Sequence, residues 1–294
     1  MFILYFAVHE INKNWGAEHF VNNGFIELGH TTHCIDYRKN ADSIHKLYDK
    51  SPETDVLFLQ RGEGFPIDIL ENYKKPKLFW ASEMVSRCRD QDRLLERHDL
   101  FNHIFFHTKD CVARANKTWG IPPDKCSVLL NGFGKEVYNK IPFSKDIDIL
   151  YSGMQTGRRV AILNQISRYF KVHISKAFGT ELNDEMNGSK IILNIHASDF
   201  LDTETRVFEA LGSGSFLLTE KLSDDNPFKN MVHLVEFENL QELVWRISYY
   251  LTCEEERAFI AKNGYDVAQN SHTYLNRALE ISNIMEDTQN DNNS

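Results

Sequence analysis

Short apolar runs alternate with amphipathic stretches along the chain, and this pattern gives the first indication of the fold. In the first half, runs rich in Ile, Val, Leu and Phe predict buried strands at residues 2–8, 55–60, 77–80, 103–107 and 127–130. Helical patterns cover residues 15–28 and 110–119. Continuous apolar strands are typical of a parallel sheet whose two faces are covered by helices. The alternation therefore predicts an α/β fold with crossover helices.

The pattern breaks at a turn-rich segment, residues 131–142, and then starts again. The second half predicts helices at 158–170 and 203–211, and strands at residues 148–152, 171–174, 190–194, 215–219 and 232–235. Two such halves in succession predict two Rossmann-like domains that face each other across a cleft. We place the domain limits at residues 1–142 and 143–267.

Residues 254–294 divide into a helical segment and a polar segment. Apolar residues recur at helical spacing through residues 254–285, which predicts a long helical region. Residues 286–294 are rich in Asp and Asn and contain no apolar residue. We predict that this last segment is a flexible tail.

The composition of the chain disfavours secreted, membrane-spanning and nucleic-acid-binding proteins. The N-terminal apolar run is short and leads into His9 and Glu10, so it indicates a strand and not a signal peptide. No run approaches the ~20 apolar residues that a membrane helix needs. The five cysteines form no CxxC pair, which favours a reducing compartment. We expect a soluble, cytoplasmic protein, and its net charge of −9 disfavours nucleic-acid partners.

Residues 202–219 carry the most informative candidate chemistry. They predict a short helix, capped by Asp202 or Thr203 and ended by Gly212, that leads directly into a strand. The free N–H groups of a first helical turn can hold a diphosphate. Glu209 lies roughly 6–9 Å farther along at ~1.5 Å per residue, where a carboxylate can accept hydrogen bonds from ribose hydroxyls. An ordinary amphipathic helix with a surface glutamate has the same spacing.

A second candidate phosphate site follows the predicted strand at 148–152. Gly153 and Gly157 lie in the loop, and Arg158 and Arg159 open the next helix. A strand-to-helix turn with guanidinium groups at the helix start is a phosphate-binding geometry. Adjacent arginines at a helix start are also common on solvated faces, so this segment alone does not decide the function.

Taken together, four segments resemble one family. They are Tyr151-Ser152-Gly153 with the two arginines, residues 191–196, residues 205–219 and residues 271–277. In this order they resemble the CgeB-like (spore maturation protein type) glycosyltransferases, a branch of the GT-B superfamily related to glycosyltransferase family 4. The segment Arg206-Val-Phe-Glu-Ala-Leu211 followed by glycine is the most specific of the four.

The resemblance implies transfer of a sugar from a nucleotide diphosphate sugar, with no cofactor besides that donor. It implies a donor-binding set: Gly153, Arg158, Arg159, His196, Thr205, Arg206 and Glu209. It also implies that the helix at 268–285 packs back on the first domain. Family 4 has two glutamates with seven residues between them, whereas the position eight before Glu209 is Leu201. Asp202 or Glu204 is then the candidate substitute for the first glutamate.

The catalytic group and the metal requirement rest on weaker signals. His9, Glu63 and Glu83 each follow a predicted strand, at the sheet edge where ligands gather in α/β folds. Each is a candidate base or acceptor contact, and each is equally explained as an ordinary polar residue. Asp146 and Asp148 have DxD spacing but lie at the start of a strand. We therefore predict no metal site and metal-independent transfer.

The acceptor is not identified by the sequence. A glycan, a small molecule, a protein or a modified base in DNA are all compatible with the donor motifs. A phage-type glycosyltransferase acting on modified DNA bases is one alternative, and the acidic charge balance counts against it. A nucleotide-binding module without catalysis is the other.

Overall fold

A computed structural model of the chain describes residues 1–10, 15–82, 89–198 and 200–292. Its contacts divide it into two compact units, Met1–Asn131 with Tyr274–Ser294, and Gly132–Thr273. Each unit contains one parallel sheet with helices, which confirms the predicted α/β fold with two Rossmann-like domains.

The first sheet consists of six parallel strands in the order β2-β1-β3-β4-β5-β6. Its strands are β1 (Phe2–Ala7), β2 (Thr31–Asp36), β3 (Val56–Gln60), β4 (Lys77–Ala81), β5 (His103–Phe106) and β6 (Cys126–Val128). The helices of this unit are α1 (Ala17–Glu27), α2 (Ile44–Asp49), α3 (Ile67–Asn72), α4 (Arg89–Leu95), α5 (Lys109–Trp119) and α11 (Tyr274–Asn292). The side chains of β1, β3, β4 and β5 are almost completely buried, as continuous apolar runs require, whereas the edge strands β2 and β6 are partly exposed.

The second sheet consists of five parallel strands in the order β11-β10-β9-β7-β8. Its strands are β7 (Ile147–Ser152), β8 (Val172–Ser175), β9 (Ser189–Asn194), β10 (Leu217–Glu220) and β11 (Val235–Phe237). The helices of this unit are α6 (Gly157–Ile166), α7 (Gly179–Asn187), α8 (Thr205–Gly212), α9 (Leu240–Thr252) and α10 (Glu254–Ser271).

Both sheets follow one topology. Numbered within its own unit, each begins 2-1-3-4-5, so the strand order reverses between the first and third strands. In the first unit this switch point lies between β1 and β3, and in the second between β7 and β9. In open α/β sheets, ligands bind outside the carboxyl ends of the strands at this point. The residues that follow β7 and β9 therefore lie side by side at the second switch point, where a ligand can contact both.

The turn-rich segment at 132–142 belongs by its contacts to the second unit. Asn183 Oδ1 accepts the Asn139 N–H at 3.1 Å, and Asn187 Oδ1 accepts the Ile141 N–H at 3.0 Å. Both asparagines lie on α7. These long-range bonds carry no periodic signal in the sequence, so the predicted limit after residue 142 could not take them into account.

The strand predicted at 232–235 lies later, at Val235–Phe237. The helical region predicted at 254–285 is two helices, because α10 ends at Ser271 and α11 begins at Tyr274. Thr273 between them forms a parallel bridge with Phe133. α11 continues to Asn292 through the segment predicted as a flexible tail, and its Gln289 Nε2 donates to the Asp55 carbonyl at 3.4 Å.

Helix α11 packs against α1 in the first unit. A Cβ on Gly24 would lie 2.7 Å from Ala278 Cβ, so the two helices approach more closely than a larger residue at this position allows. The rings of Phe20 and Tyr274 stack with centroids 5.9 Å apart. None of the helices within the described ranges is long and apolar enough to cross a membrane.

Candidate donor site

The candidate site of the second unit lies at the carboxyl ends of β7, β9 and β10. Five charged or imidazole side chains meet there, and we call them the strand-end cluster: Arg158, Arg159, His196, Glu204 and Glu220. The arginines begin α6 after β7, His196 follows β9, Glu220 ends β10 and Glu204 precedes α8. The cluster thus occupies the topological switch point of the sheet.

The loop after β7 sets the position of the two arginines. Gly153 has φ +155°, and a Cβ on it would lie 3.1 Å from the Tyr151 hydroxyl. Thr156 then caps α6, because its hydroxyl accepts the Arg159 N–H at 3.4 Å. The sequence predicted this strand–loop–helix geometry, and both arginines lie in the first turn of the helix.

Arg158 is held in a bidentate ion pair with Glu220, with nitrogen–oxygen distances of 2.6 and 2.8 Å. It also donates to the His196 carbonyl at 3.1 Å, while Glu220 accepts the His196 N–H at 2.6 Å. A bidentate arginine–carboxylate pair is rigid and directional. Arg158 therefore fixes the chain at the end of β9 as well as contributing charge.

Arg159 is more deeply placed, with 10% of its side chain exposed. It donates to the Ile195 carbonyl at 2.8 Å and the Met154 carbonyl at 3.2 Å, and pairs with Glu204 at 3.1 Å. Both arginines that the sequence assigned to donor phosphates therefore have carboxylate partners. No sequence pattern indicates Glu220, and Glu204 is predicted only as a substitute for the first glutamate of family 4, because the fold of the unit brings both carboxylates to the arginines.

His196 is 3% exposed and its hydrogen bonds fix its tautomer. Nε2 lies 2.8 Å from the Lys221 carbonyl, which can only accept, so Nε2 carries the proton. In the neutral ring Nδ1 is then an acceptor. It lies 3.9 Å from Glu204 Oε2 and has no hydrogen-bond partner among the described residues. A hydroxyl group reaching this position would find an oriented acceptor.

Helix α8 begins at Thr205, two residues later than predicted. The expected caps, Asp202 and Thr203, do not precede the first turn; Glu204 does, and its side chain makes no capping bond because it is paired with Arg159. The N–H groups of a first turn have no intrahelical partner. Thr205 and Arg206 occupy that turn, as the diphosphate assignment requires.

Arg206 and Glu209 form an ion pair on α8, with Arg206 Nη1 2.5 Å from Glu209 Oε2. Tyr138 hydrogen-bonds to the same carboxyl. Burial raises the pKa of Glu209, while Arg206 and Tyr138 act in the opposite direction. Arg206 Nε is buried and has no hydrogen-bond partner among the described residues. The predicted ribose and phosphate ligands thus lie together, with Tyr138 as a partner that no sequence pattern indicated.

The catalytic candidates belong to the first unit. His9 follows β1 and its Nδ1 lies 3.3 Å from Cys34 Sγ. Glu63 pairs with Arg38 at 2.7 Å and accepts a bond from the Tyr37 hydroxyl at 3.4 Å. Glu83 lies outside the described residues. His9 and Glu63 both lie at the carboxyl edge of the sheet, and their catalytic role stays a prediction.

The same edge holds a pair that the sequence analysis missed. Glu18 is fully buried at the start of α1 and forms an ion pair with Arg61 after β3. Arg61 has φ +71° and Gly62 has φ +92°. A left-handed backbone at a non-glycine residue is strained, and such strain concentrates at functional sites. The turn after β3 thereby directs Arg61 towards α1 and carries Glu63.

No group of three or more metal-ligating side chains occurs within the described ranges. Asp148, part of the DxD spacing, pairs with Lys190 at 2.6 Å across β7 and β9. Asp146 accepts a hydrogen bond from Ser144 at 2.8 Å. These two carboxylates lie at the amino ends of the strands, at the opposite edge from the strand-end cluster.

Residues 152–283 match a protein-family model described as "Glycosyl transferase-like". The match covers a little less than half of the chain and includes the whole strand-end cluster with α8. No curated protein matches the chain in sequence.

Solved glycosyltransferases share the complete fold. HepE of Anabaena in complex with UDP and glucose has a TM-score of 0.71 and 14% identity, over 98% of this chain and 100% of that chain. Sucrose-phosphate synthase from Thermosynechococcus elongatus has a TM-score of 0.70 and 10% identity, over 97% and 98%. A glycosyltransferase from Rickettsia africae has a TM-score of 0.65 and 11% identity, over 98% of each chain.

The chain has the two-domain GT-B fold, and its residues 152–283 form a glycosyl transferase-like domain. The match to the family model contains every donor-binding residue predicted from the sequence, from Gly153 to Glu209.

Proposed function

We propose that the protein transfers a sugar from a uridine diphosphate sugar to a hydroxyl-bearing acceptor, without a metal ion, and that it is CgeB-like and related to family 4. HepE, which shares the fold, has been solved with UDP and with UDP-glucose. The second unit binds the donor. Glu209 accepts hydrogen bonds from the ribose, and Arg206 with the first turn of α8 holds the diphosphate.

One observation carries this proposal. His196 Nδ1 is a buried acceptor and Arg206 Nε is a buried donor, and neither has a hydrogen-bond partner among the described residues. Buried polar atoms are usually paired, so each indicates a missing ligand. A sugar hydroxyl supplies the donor that His196 needs, and a phosphate oxygen supplies the acceptor that Arg206 needs. A sugar phosphate meets both requirements.

The same geometry suits the chemistry of transfer. Breaking the bond between sugar and phosphate leaves negative charge on the nucleoside diphosphate. Preorganised N–H groups and a guanidinium at that point stabilise the charge, and one such donor is typically worth about 3 kcal/mol. Arg158 and Arg159 are positioning residues in this scheme, since Glu220 and Glu204 already compensate their charge. His9, Glu63 and Glu83 remain the candidates for the base.

The proposal is tested by calorimetric titration of the intact protein with UDP and by an assay of UDP-sugar hydrolysis in EDTA. We expect UDP to bind and slow hydrolysis to persist in EDTA. His196→Ala should slow hydrolysis about tenfold, because one hydrogen bond to the sugar is lost. His173→Ala is the matched control, since His173 is an exposed histidine of the same unit paired with Glu185.

Two results would contradict the proposal. Absence of UDP binding by a folded protein would exclude the donor site. Hydrolysis that stops in EDTA and returns with Mn²⁺ or Mg²⁺ would exclude the metal-free mechanism and direct attention to Asp146 and Asp148.

A further inference from the structure

A second, independent feature lies at the opposite edge of the same sheet. A cavity of about 260 Å³ opens where the chain enters β7, β9 and β10. Five basic side chains line it, together with a single carboxylate, that of Glu254. The basic residues are Lys140, Lys145, Lys190, Arg257 and Lys262. This concentration of positive charge is notable in a chain whose net charge is −9.

Ion pairing compensates only part of this charge. Lys190 pairs with Asp148 at 2.6 Å and Lys262 pairs with Asp266 at 2.5 Å. No carboxylate among the described residues lies within ion-pair distance of Lys140, Lys145 or Arg257. Arg257 is 7% exposed, and the bond it donates goes to the uncharged Tyr250 carbonyl. Burial lowers the pKa of Arg257, and the nearby carboxylates of Glu254 and Asp148 act in the opposite direction. Lys140 and Lys145 are therefore the cavity cations that have no carboxylate partner among the described residues.

The surrounding structure holds this arrangement in place. Lys140 lies between Asn139 and Ile141, whose N–H groups are bonded to α7. Its stem packs on Gly214, where φ is +69° and a Cβ would lie 3.1 Å from the Lys140 side chain. Arg257 lies near the start of α10 and donates to the Tyr250 carbonyl, while the acidic residues Glu254, Glu255 and Glu256 occupy the first turn of this helix. Lys140 and Arg257 are thereby held at the cavity, whereas Lys145 is an exposed residue of the irregular segment before β7.

Lys145 shows the electrostatic consequence. Partial burial, and after it the nearby positive charges of Arg257 and Lys140, lower the pKa of the Lys145 ammonium group to about 8. The rest of the side chain is exposed to solvent. Crowded like charges disfavour the protonated form. A bound anion removes this repulsion and restores the full positive charge of the site.

We propose that this cavity binds a small phosphate-bearing dianion, either free phosphate or a phosphate monoester. Five basic side chains and one carboxylate in the lining match a doubly charged anion better than a singly charged one. The volume is below the ~300–1,000 Å³ of pockets for drug-sized ligands, which favours a small molecule over a segment of polymer. Phe143, Ile141 and Ala258 form apolar lining beside the cations and suit the carbon part of a monoester.

The site is distinct from the donor site. The cavity lies at the amino ends of β7, β9 and β10, whereas the strand-end cluster lies at their carboxyl ends. A six-residue strand such as β7 spans roughly 20 Å at ~3.3 Å per residue. An anion bound here is therefore too far away to be the diphosphate of the donor, and the proposal does not depend on the proposed transferase activity.

Calorimetric titration of the full chain with inorganic phosphate, glycerol 3-phosphate and acetate tests the proposal. We expect both phosphates to bind and acetate to bind much more weakly. Lys145→Gln should weaken phosphate binding about tenfold, because a charge-assisted hydrogen bond is lost. Lys171→Gln is the matched control, with the same change of charge at an exposed lysine outside the cavity lining. The tighter of the two phosphates identifies the source.

The pH dependence provides a readout that a merely structural lysine would not show. Phosphate affinity of the unmodified protein should fall as the pH rises through about 8, where Lys145 loses its proton, and Lys145→Gln should remove that fall. Equal phosphate affinity in Lys145→Gln and the unmodified protein would overturn the proposal, as would no phosphate binding at all. Binding of an oligonucleotide but neither small phosphate would also overturn it. Lys140→Gln provides a second variant with the same expectation.

Discussion

Both edges of the second sheet carry a group of basic side chains, but the two groups differ in how far carboxylates compensate their charge. At the carboxyl edge, Arg158, Arg159 and Arg206 each have a carboxylate partner within about 3 Å. At the amino edge, Lys140 and Lys145 have none among the described residues. The comparison shows that a basic residue near a candidate phosphate site is informative only once its partners are known.

The difference has a physical consequence for each edge. Paired arginines keep a fixed geometry in the absence of ligand, and they position the backbone at the proposed donor site. Unpaired lysines repel one another in the absence of an anion. Binding of an anion should therefore stabilise the amino edge more than the carboxyl edge. We therefore expect mutations at the carboxyl edge to reduce stability or nucleotide affinity, and mutations at the amino edge to relieve repulsion.

The largest expected effect comes from breaking the Arg159–Glu204 pair. Glu204→Gln leaves the guanidinium of Arg159 largely buried without a counter-charge, so the free energy of unfolding should fall by about 3 kcal/mol. Chemical denaturation measures this change. Asp266→Asn breaks the exposed pair with Lys262 and is the control, with an expected loss of at most about 0.5 kcal/mol. An equal loss of unfolding free energy in the two variants would show that the Arg159–Glu204 pair stabilises the fold no more than an exposed ion pair does.

The next effect concerns nucleotide affinity. Glu209→Ala should weaken UDP binding by about 2 kcal/mol, because the ribose loses hydrogen bonds to a charged acceptor. Titration calorimetry on the folded variant measures it, with the exposed Glu181→Ala on α7 as the control. Unchanged affinity would remove Glu209 from the donor site.

The pH dependence of the same binding should be a smaller effect, a loss of UDP affinity on acidification from neutral pH. Burial raises the pKa of Glu209, so protonation on acidification begins at a higher pH than for an exposed carboxyl. UDP affinity should decline as the pH falls, since a neutral carboxyl is a weaker acceptor. Glu209→Gln should lose this dependence, and a decline that persists in the variant would assign the titration to another group.

The smallest effect is a gain in stability at the amino edge. Lys145→Gln should raise the free energy of unfolding by about 0.5–1 kcal/mol at neutral pH in phosphate-free buffer, after allowance for solvent screening. The pKa of Lys145 is lowered on folding, so the gain is complete below about pH 8 and disappears as the pH rises towards the unfolded value near 10.4. Thermal denaturation against pH measures it, and a loss of stability would show that Lys145 has a favourable partner.

Much of the fold could be predicted because its signal is local. The strands at 2–8, 55–60 and 148–152 were recognised as continuous apolar runs, and the arginines after β7 were recognised by their place after a strand and a glycine loop. The bridge at Thr273 that separates α10 from α11 depends on Phe133, far away in sequence. Periodicity contains no such information, so the two helices were predicted as one.

In the candidate site, too, contacts between residues close in the sequence could be predicted and contacts between distant residues could not. Glu209 and Arg206 lie three residues apart, and helical geometry alone brings such residues together. Tyr138, which hydrogen-bonds to Glu209, lies in a segment without regular secondary structure. Only the folded structure shows that the two residues are neighbours. His196 could be named from its motif, but the free Nδ1 that makes it a candidate ligand depends on the Lys221 carbonyl.

The sequence by itself determined two α/β halves, the position of helix α8 and the residue types around it, because periodicity and turn chemistry act over a few residues. Only the tertiary structure decided which charges that lie far apart in the sequence are paired. Glu220 reaches Arg158 because β10 lies beside β9, and β9 lies beside β7, in the sheet. Strand order results from the packing of the whole unit, and it alone distinguishes a compensated arginine at one edge from an uncompensated lysine at the other.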